Sequence, residues 1–440
     1  MKYTTDYRLE NFILNTKWED LPPQVQERMR GCLLDLLGAL VSGSGSAQFR
    51  AGLKLAETVF HKGETAVIGS SETFDFTGAA AAMGHSSNAY DIDDGHNIIR
   101  AHPGTSFVGG LIAAGYEKNT DSTDFLTALY VSYETTIRMG EAIMDYYQYA
   151  HSSGTFGSIG VAAGAGRLFG LSKEEMNNAL SVAEFNAPLV PGIRSVEYPS
   201  MNKDGVPFGV MVGSLALMAG KCGFTGNKNL LEAEEYAHYL DDLGENHEVM
   251  ALYFKPYPCC RWAHPAIDAC LWLLNEYGIS SEDISKVNVE TFYKATQLSK
   301  GIPASADEAQ YNIAYPVAAA IVNKGFSIQQ VEQTDNKAVH QMMEKLSFVC
   351  DDQLDALFPA QRLCRVAMEL KDGRHVVSPV FEPSGEAKEN VGYDRLAAKF
   401  RRITAGMLTP EEQESVIELL RGDRWTVRTL VDLLNTYLLK

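Results

Sequence analysis

The spacing of apolar residues predicts mostly helices in the first 267 positions. Within that range, residues 25–41 and 124–144 repeat apolar side chains at intervals of three and four. A Thr-Asp-Ser run at 120–122 offers cap residues for the second of these helices. Residues 155–170 are rich in Gly and Ala, and we expect close helix packing there, because their spacing fits no glycine-rich phosphate loop.

The pattern changes after about residue 280. Residues 286–292 alternate like a strand, and the strands 365–370 and 374–381 flank an Asp-Gly turn that predicts a hairpin. A helical run at 316–326 is interleaved with them, and residues 382–392 form a polar loop.

From residue 393 the chain is helical again, with Thr409-Pro410 as a helix start. We therefore predict a mainly α protein. Its large all-helical domain is discontinuous, with residues 1–267 and 397–440, and residues 268–396 form a smaller α+β lid domain.

The composition of the chain argues against several classes of function. The net charge of −18 argues against nucleic acid and anionic membrane surfaces as partners. No apolar run of about 18 residues predicts a membrane span, and the first ten residues lack the apolar core of a signal peptide. The seven scattered cysteines are typical of reduced thiols, so we expect a cytoplasmic location.

Candidate chemistry is concentrated in residues 85–107, HSSNAYDIDDGHNIIRAHPGTSF, which hold three Asp and three His. A calcium loop does not fit, because Asp94 and Gly95 come one residue early and His102 stands where the last acidic ligand belongs. No HExxH or paired CxxC pattern accompanies the segment, and Cys259 and Cys260 are adjacent. We therefore predict no metal site.

An acid–base site fits the same residues better. Asp91 and Asp94 are three apart, so on a helix they would share a face and could orient an imidazole. Pro103 restricts His102 to an extended backbone conformation, and Gly104 allows a wider range of backbone conformations after the proline. The alternative is a capped helix and a turn in which the histidine is only hydrogen-bonded.

Three further clusters favour the catalytic interpretation. His151 precedes the glycine-rich helix, and the loop from Arg194 to Lys203 contains two cations. The segment 255–268, KPYPCCRWAHPAID, carries Lys255 and His264 on a loop with two prolines. Cations and imidazoles on stiff loops of an acidic protein suit a di- or tricarboxylate ligand, because Lys and Arg pair with carboxylates.

Taken in order, these motifs resemble the MmgE/PrpD family. The resemblance is carried by AAMGHSSNAYDIDDG with AHPGTSF, by HSSGTFGSIGVAAGAGRLFGL, by YFKPYPCCRWAHPAIDA and by AQYNIAYPVAAAI, and it runs to about residue 402. It implies a homodimer with an active site between the two domains and with no metal or organic cofactor. Family members include dehydratases, decarboxylases and epimerases of small polycarboxylates such as 2-methylcitrate, cis-aconitate and iminodisuccinate.

The resemblance also implies roles for single residues. Proton transfer falls to His102 and His151, with Asp91 orienting one imidazole and Tyr315 donating to the reacting centre. The expected substrate-binding residues are Lys203, Lys255, Arg194, His264 and Asp94.

The chain departs from the family pattern at three places. Gly95 and Gly104 stand where Thr and Ser are usual, and the Lys-x-x-His-x-Gly segment has Val206 in place of its histidine. We therefore expect a cofactor-independent lyase, dehydratase or decarboxylase, that acts at the carbon next to a carboxylate. An epimerase of a dicarboxylate such as iminodisuccinate is the first alternative. A non-catalytic carboxylate-binding protein is the second.

Overall fold

The computed structural model describes residues 1–149 and 152–440 of the chain. It is 58% helical with 10% of residues in strands, which confirms the mainly α class with a smaller α+β region. Among the described residues, none of the helices is both long and apolar enough to cross a bilayer.

The described residues in the first half of the chain form ten α-helices, and two short strands separate α3 from α4. They are α1 Arg8–Asn15, α2 Pro23–Gly43, α3 Ala47–Val59, β1 Thr65–Ala66, β2 Thr73–Phe74, α4 Phe76–Ser87, α5 Thr105–Lys118, α6 Ser122–Tyr147, α7 Ser153–Leu168, α8 Lys173–Asn186, α9 Ile193–Glu197 and α10 Val206–Lys221.

Their packing confirms the predicted close approach. In the glycine-rich helix α7, a Cβ atom placed on Gly157 would lie 2.1 Å from the Cβ of Ser106 on α5. Only a residue without a side chain fits there, so α5 and α7 touch along their backbones. The predicted cap is also present, because Asp121 accepts hydrogen bonds from the N–H groups of Thr123 and Asp124.

The second half of the chain builds a four-stranded sheet with helices. Its elements are β4 Leu252–Phe254, α11 His264–Glu276, β5 Ile284–Thr291, α12 Tyr293–Thr296, α13 Ala306–Gln310, α14 Ala314–Asn323, α15 Ile328–Glu332, α16 Lys337–Met343, β6 Leu346–Cys350, α17 Asp352–Asp355, β7 Cys364–Leu370 and β8 His375–Val377.

The sheet has the order β6-β5-β7-β8. The predicted hairpin is β7–β8, and its turn places Gly373 at a φ of 91°. The sequence pattern did not indicate β6, which runs parallel to β5. Side chains of β5, β7, α11 and α14 form a second hydrophobic cluster, separate from the large cluster of the helical part.

The last helices are α18 Tyr393–Thr404, α19 Pro410–Arg421 and α20 Val427–Leu438. Most of their buried apolar residues, such as Phe400 and Leu434, belong to the large helical cluster. An ion pair fixes α18 to α2, since Lys399 Nζ lies 2.6 Å from Asp35 Oδ1, and it also donates to the carbonyl of Ile92 at 2.5 Å. The domain limits at residues 267 and 396 remain a prediction.

The expectation that Asp91 and Asp94 share a helix face is wrong. Helix α4 ends at Ser87, and Asp91 has a φ of 49°. Asp94 begins the short strand β3, Asp94–His96, which pairs with β4. Asp91 therefore lies on a loop and Asp94 on a strand, so the two carboxylates do not share a face.

We predict that Lys399→Met lowers the free energy of unfolding by about 3–5 kcal/mol, because Asp35 would remain buried without its cation. Asp35→Asn combined with Lys399→Met should recover part of that loss. Chemical denaturation measures both values. Arg374→Met is the matched control, since its pair with Asp372 is exposed and should contribute much less to stability than the buried pair. Equal losses at the two sites would contradict this account of the buried pair.

Candidate active site

A cavity of about 320 Å³ lies where loops of the helical part meet the sheet-containing part. Asp91 and His102 reach it from the segment between α4 and α5, and Asp204 from the turn before α10. Tyr253 of β4 and Tyr311, which follows α13, enter from the second half of the chain. The cavity therefore depends on chain segments that are far apart in sequence.

Four buried charges form the centre of this site. His102 Nδ1 lies 3.0 Å from Asp93 Oδ2 and also 3.0 Å from the carbonyl oxygen of Asp94. Behind the cavity, Lys255 Nζ lies 2.6 Å from Asp91 Oδ1. His102 Nε2 lies 3.5 Å from the same Asp91 oxygen, so two carboxylates and two cations alternate. We call Asp91, Asp93, His102 and Lys255 the ion cluster.

The ion cluster keeps His102 protonated. Burial and the charge of Lys255 lower the pKa of this imidazole, but Asp93, with help from Asp91, outweighs both and raises the pKa to about 9. The same pairing lowers the pKa of Asp93 despite its burial. Because both acceptors at Nδ1 require a donor, the proton on Nε2 is the one that faces the cavity.

Asp91, Asp93 and His102 are also the one group of described residues whose ligand atoms could hold a metal ion, within 4.8 Å of each other. The Lys255 ammonium already lies at bonding distance from Asp91, and the pKa of His102 keeps its ring protonated at neutral pH. A metal would have to displace the Lys255 ammonium from Asp91 and remove a proton from His102, and the absence of a metal stays a prediction.

Asp94 supports the site from outside the cavity. Its carboxylate accepts hydrogen bonds from the N–H of Gly104, at 3.0 Å, and from the hydroxyl of Tyr133. A Cβ on Gly104 would lie 2.2 Å from that hydroxyl and 2.4 Å from Asp94. Gly104 has an ordinary helical φ of −59°, so it is needed for space and not for backbone freedom. Asp94 does not line the cavity, and its expected contact with substrate stays a prediction.

The second departure from the family pattern has a similar cause. The ring of Tyr253 lies over Gly95, where a Cβ would come within 2.2 Å of it. The guanidinium of Arg261 stacks on this ring, 4.3 Å from its centroid. A threonine at position 95 and the Tyr253 ring cannot occupy this space together.

Arginines line one side of the cavity. Arg261 donates to Glu386 at 2.8 Å, and Arg362 donates to the side-chain oxygen of Asn97 at 2.8 Å. Asn97 in turn donates to Glu386. Arg362 is 6% exposed, and Arg100 also lines the cavity. Guanidinium groups held in this way are suited to bind carboxylates.

Lys203 and Lys255 were expected to contact substrate, but the structure gives both a supporting place. The Lys203 ammonium donates to the Ala89 carbonyl at 2.5 Å and to Gln310 at 2.6 Å, and it lies 3.2 Å from Asp307. These partners use its three N–H donors, so Lys203 connects the loop before Asp91 to α13. Lys255 is fully buried behind Asp91 and does not line the cavity.

Three further predicted residues lie away from the cavity. Arg194 is exposed and does not line the cavity, although Ile193 does. His264 is buried at the start of α11 with Nε2 3.0 Å from the carbonyl of Cys259. The hydroxyl of Tyr315 donates to the carbonyls of Gln330 and Gln333, in the core of the second cluster. His151 lies outside the described residues.

The sequence reasoning did not single out the remaining polar groups of the cavity. Asp204 Oδ2 lies 3.8 Å from His102 Nε2, and Tyr311 and Arg362 come from the smaller, second half of the chain. Asp93 belongs to the DIDDG motif, but a helix at this position would have paired Asp91 with Asp94 and not with Asp93. Asp204 follows Lys203, in the segment that departs from the family pattern at Val206. That departure is the sequence signal that could have indicated Asp204.

Comparisons with known proteins show the family of this chain. The MmgE/PrpD N-terminal domain matches residues 7–241, and the MmgE/PrpD C-terminal domain matches residues 257–422. A cis-aconitate decarboxylase-like protein of Aspergillus oryzae is 24% identical, with 92% of each chain covered.

Two further relatives are named cis-aconitate decarboxylase. The protein of Aspergillus terreus is 24% identical over 96% of this chain and 94% of its own length. The protein of Homo sapiens is 22% identical over 91% of this chain and 88% of its own length. The two family domains together span most of the 440 residues, and the chain belongs to the MmgE/PrpD family.

Proposed function

We propose that this protein is a lyase that acts on a small di- or tricarboxylate without a cofactor, and that its reaction is a decarboxylation of the cis-aconitate type. The observation that carries the proposal is the protonated His102, whose Nδ1 is held by Asp93 while Nε2 faces the cavity. The names of the relatives support the same class.

The substrate class follows from the cavity wall. Arg261 and Arg362 are buried and face the cavity together with the more exposed Arg100 and Lys294. Two or three carboxylates could bind these cations, because Glu386 is the single carboxylate that pairs with Arg261 and the described partner of Arg362 is the neutral side chain of Asn97. The concentration of cations here also explains how a chain with a net charge of −18 binds an anion.

The charge state of His102 favours decarboxylation over the other reactions of the family. When the bond between carbon and a carboxylate breaks, CO₂ leaves and the electron pair stays on carbon, stabilised by the neighbouring unsaturated acid. The Nε2 proton of His102 is then added to a carbon of that anion, and the imidazole regains a proton from solvent. His151 remains part of the proposal as a further proton-transfer group.

Dehydration is the second candidate, because Asp204 is a cavity carboxylate near His102 Nε2 that could remove a proton. Burial raises the pKa of Asp204, which would make it a stronger base than an exposed carboxylate. Elimination would start at Asp204, and His102 would then protonate the leaving hydroxyl.

Proton NMR in D₂O tests the reaction class. EDTA-treated protein is mixed separately with cis-aconitate, citrate, 2-methylcitrate and iminodisuccinate. We expect new vinyl signals from cis-aconitate together with release of CO₂. Loss of water from the citrates would support dehydration, and exchange of the α-proton alone would support the epimerase alternative. Silence from folded protein would contradict an enzymatic function on these acids.

We predict that His102→Asn lowers kcat by about 10²–10⁴-fold, because the amide can hydrogen-bond but cannot donate a proton to carbon. Circular dichroism should show an unchanged fold. His375→Asn is the control, since this histidine is exposed on β8. A His102→Asn rate within tenfold of the wild type would remove His102 from the proton-transfer role.

We predict an alkaline limit to activity. The raised pKa of His102 means that kcat/KM should fall as pH rises through about 9, where the proton is lost. By linkage, the stability that this proton contributes is fully present below 6.5, the ordinary pKa, and is lost as pH rises through about 9. Asp93→Asn should move the alkaline limb to lower pH. A limb near 6.5 in the wild-type protein would contradict the role of Asp93.

Self-association and location complete the proposal. Helix α10 carries no charged residue before Lys221, and Phe208 and Leu215 on one of its faces are 50% and 55% exposed. An apolar face of this kind suits a second copy of the chain, so we propose a homodimer through α10.

A cytoplasmic location is also part of the proposal, because all seven cysteines are unpaired.

We predict that Leu215→Glu converts the dimer to monomers, because it places a charge in the apolar contact. Size-exclusion chromatography with light scattering measures the mass. Val59→Glu is the control, since Val59 is 60% exposed at the end of α3, away from this face. A wild-type protein that elutes as a monomer would disprove the interface.

A further inference from the structure

The hydroxyl of Tyr311 has no role in the reaction proposed above. It is 3% exposed and lines the cavity, yet no described residue forms a hydrogen bond with its buried hydroxyl. A buried hydroxyl without a partner destabilises the folded state, so such groups are rare in native proteins and often have a function.

The backbone on both sides of Tyr311 is firmly held. The carbonyl of Gln310 accepts a hydrogen bond from the N–H of Cys260, and the Gln310 side chain contacts Lys203 and the Ala89 carbonyl. Asn312 caps helix α14 through the N–H of Tyr315. The ring is therefore set in place by its neighbours, while its hydroxyl is left free to meet a ligand.

The surroundings also settle which role the hydroxyl can take. The charges that act on it are those of Asp204, Asp91 and Asp93, and burial together with these carboxylates raises the pKa of Tyr311 well above its ordinary value. The phenol thus stays protonated at all working pH values. It can donate a hydrogen bond, and it cannot serve as a base.

We propose that the Tyr311 hydroxyl donates a hydrogen bond to a carboxylate oxygen of the substrate on which negative charge grows as the carbanion forms. No proton is transferred from Tyr311 in this step, because His102 supplies the proton to carbon. A donor already aimed at developing charge stabilises the transition state without reorganisation. This inference rests on the proposed function, and it moves the tyrosine role from Tyr315 to Tyr311.

The test compares three single-hydroxyl deletions. We expect Tyr311→Phe to lower kcat by about 10- to 100-fold, with a melting temperature equal to or above that of the wild type, because no hydrogen bond of the folded protein is lost. Tyr393→Phe is the control: its hydroxyl donates to the Ile417 carbonyl at 2.7 Å, far from the cavity, so it should lose stability and keep kcat. Tyr315→Phe removes the hydroxyl that donates to Gln330 and Gln333.

Two outcomes would overturn the proposal. One is a Tyr311→Phe enzyme with wild-type kcat, and the other is a loss of kcat in Tyr315→Phe with none in Tyr311→Phe. Calorimetric titration with tricarballylate, an unreactive tricarboxylate, distinguishes a failure of the Tyr311 proposal from a failure of the proposed function. If the wild type converts no acid but binds tricarballylate about tenfold more tightly than Tyr311→Phe, the lyase proposal fails and the transition-state role fails with it, while the hydrogen bond from Tyr311 to a bound carboxylate stands. If neither turnover nor binding is seen, both fail.

Discussion

The ion cluster of Asp91, Asp93, His102 and Lys255 is the constraint on which the arrangement of the site depends. Four charges this deeply buried are tolerated only because each cation lies against a carboxylate, and removing one partner would leave an uncompensated charge. The neighbouring contacts act on the same backbone. Asp94 fixes the turn at Gly104, Lys203 holds the Ala89 carbonyl, and Lys399 holds the Ile92 carbonyl. The DIDD segment is thereby held from several directions.

This constraint determines what the cavity can do. A histidine between two buried carboxylates carries a proton that an isolated imidazole would have lost, and it presents that proton on the one nitrogen that faces the cavity. Arg261 follows β4 and Arg362 precedes β7, so these two buried arginines and the acid His102 come from different parts of the chain. A substrate that touches both must bridge them, which suits a short molecule with several carboxylates.

The sequence predicted the helices and the β7–β8 hairpin, because periodicity, cap residues and the Asp-Gly turn are local signals, whereas the acid–base centre stays a prediction. It failed where the outcome depended on tertiary contacts. Nothing local shows that Asp91 adopts a left-handed backbone, or that Lys203 and Lys255 use their charges inside the protein. Tyr311 and Tyr315 are four residues apart, and only the fold shows which hydroxyl lacks a partner.

The protonation state of His102 is the most direct test of this account. Nitrogen-15 NMR of protein labelled at histidine, with the His102 signals assigned by comparison with His102→Asn, reports whether each ring nitrogen carries a proton. The account predicts an imidazolium at neutral pH that titrates near the pKa of about 9. A neutral ring at neutral pH would contradict it, because His102 could then not act as the acid and the ion cluster would not hold the charges assigned to it.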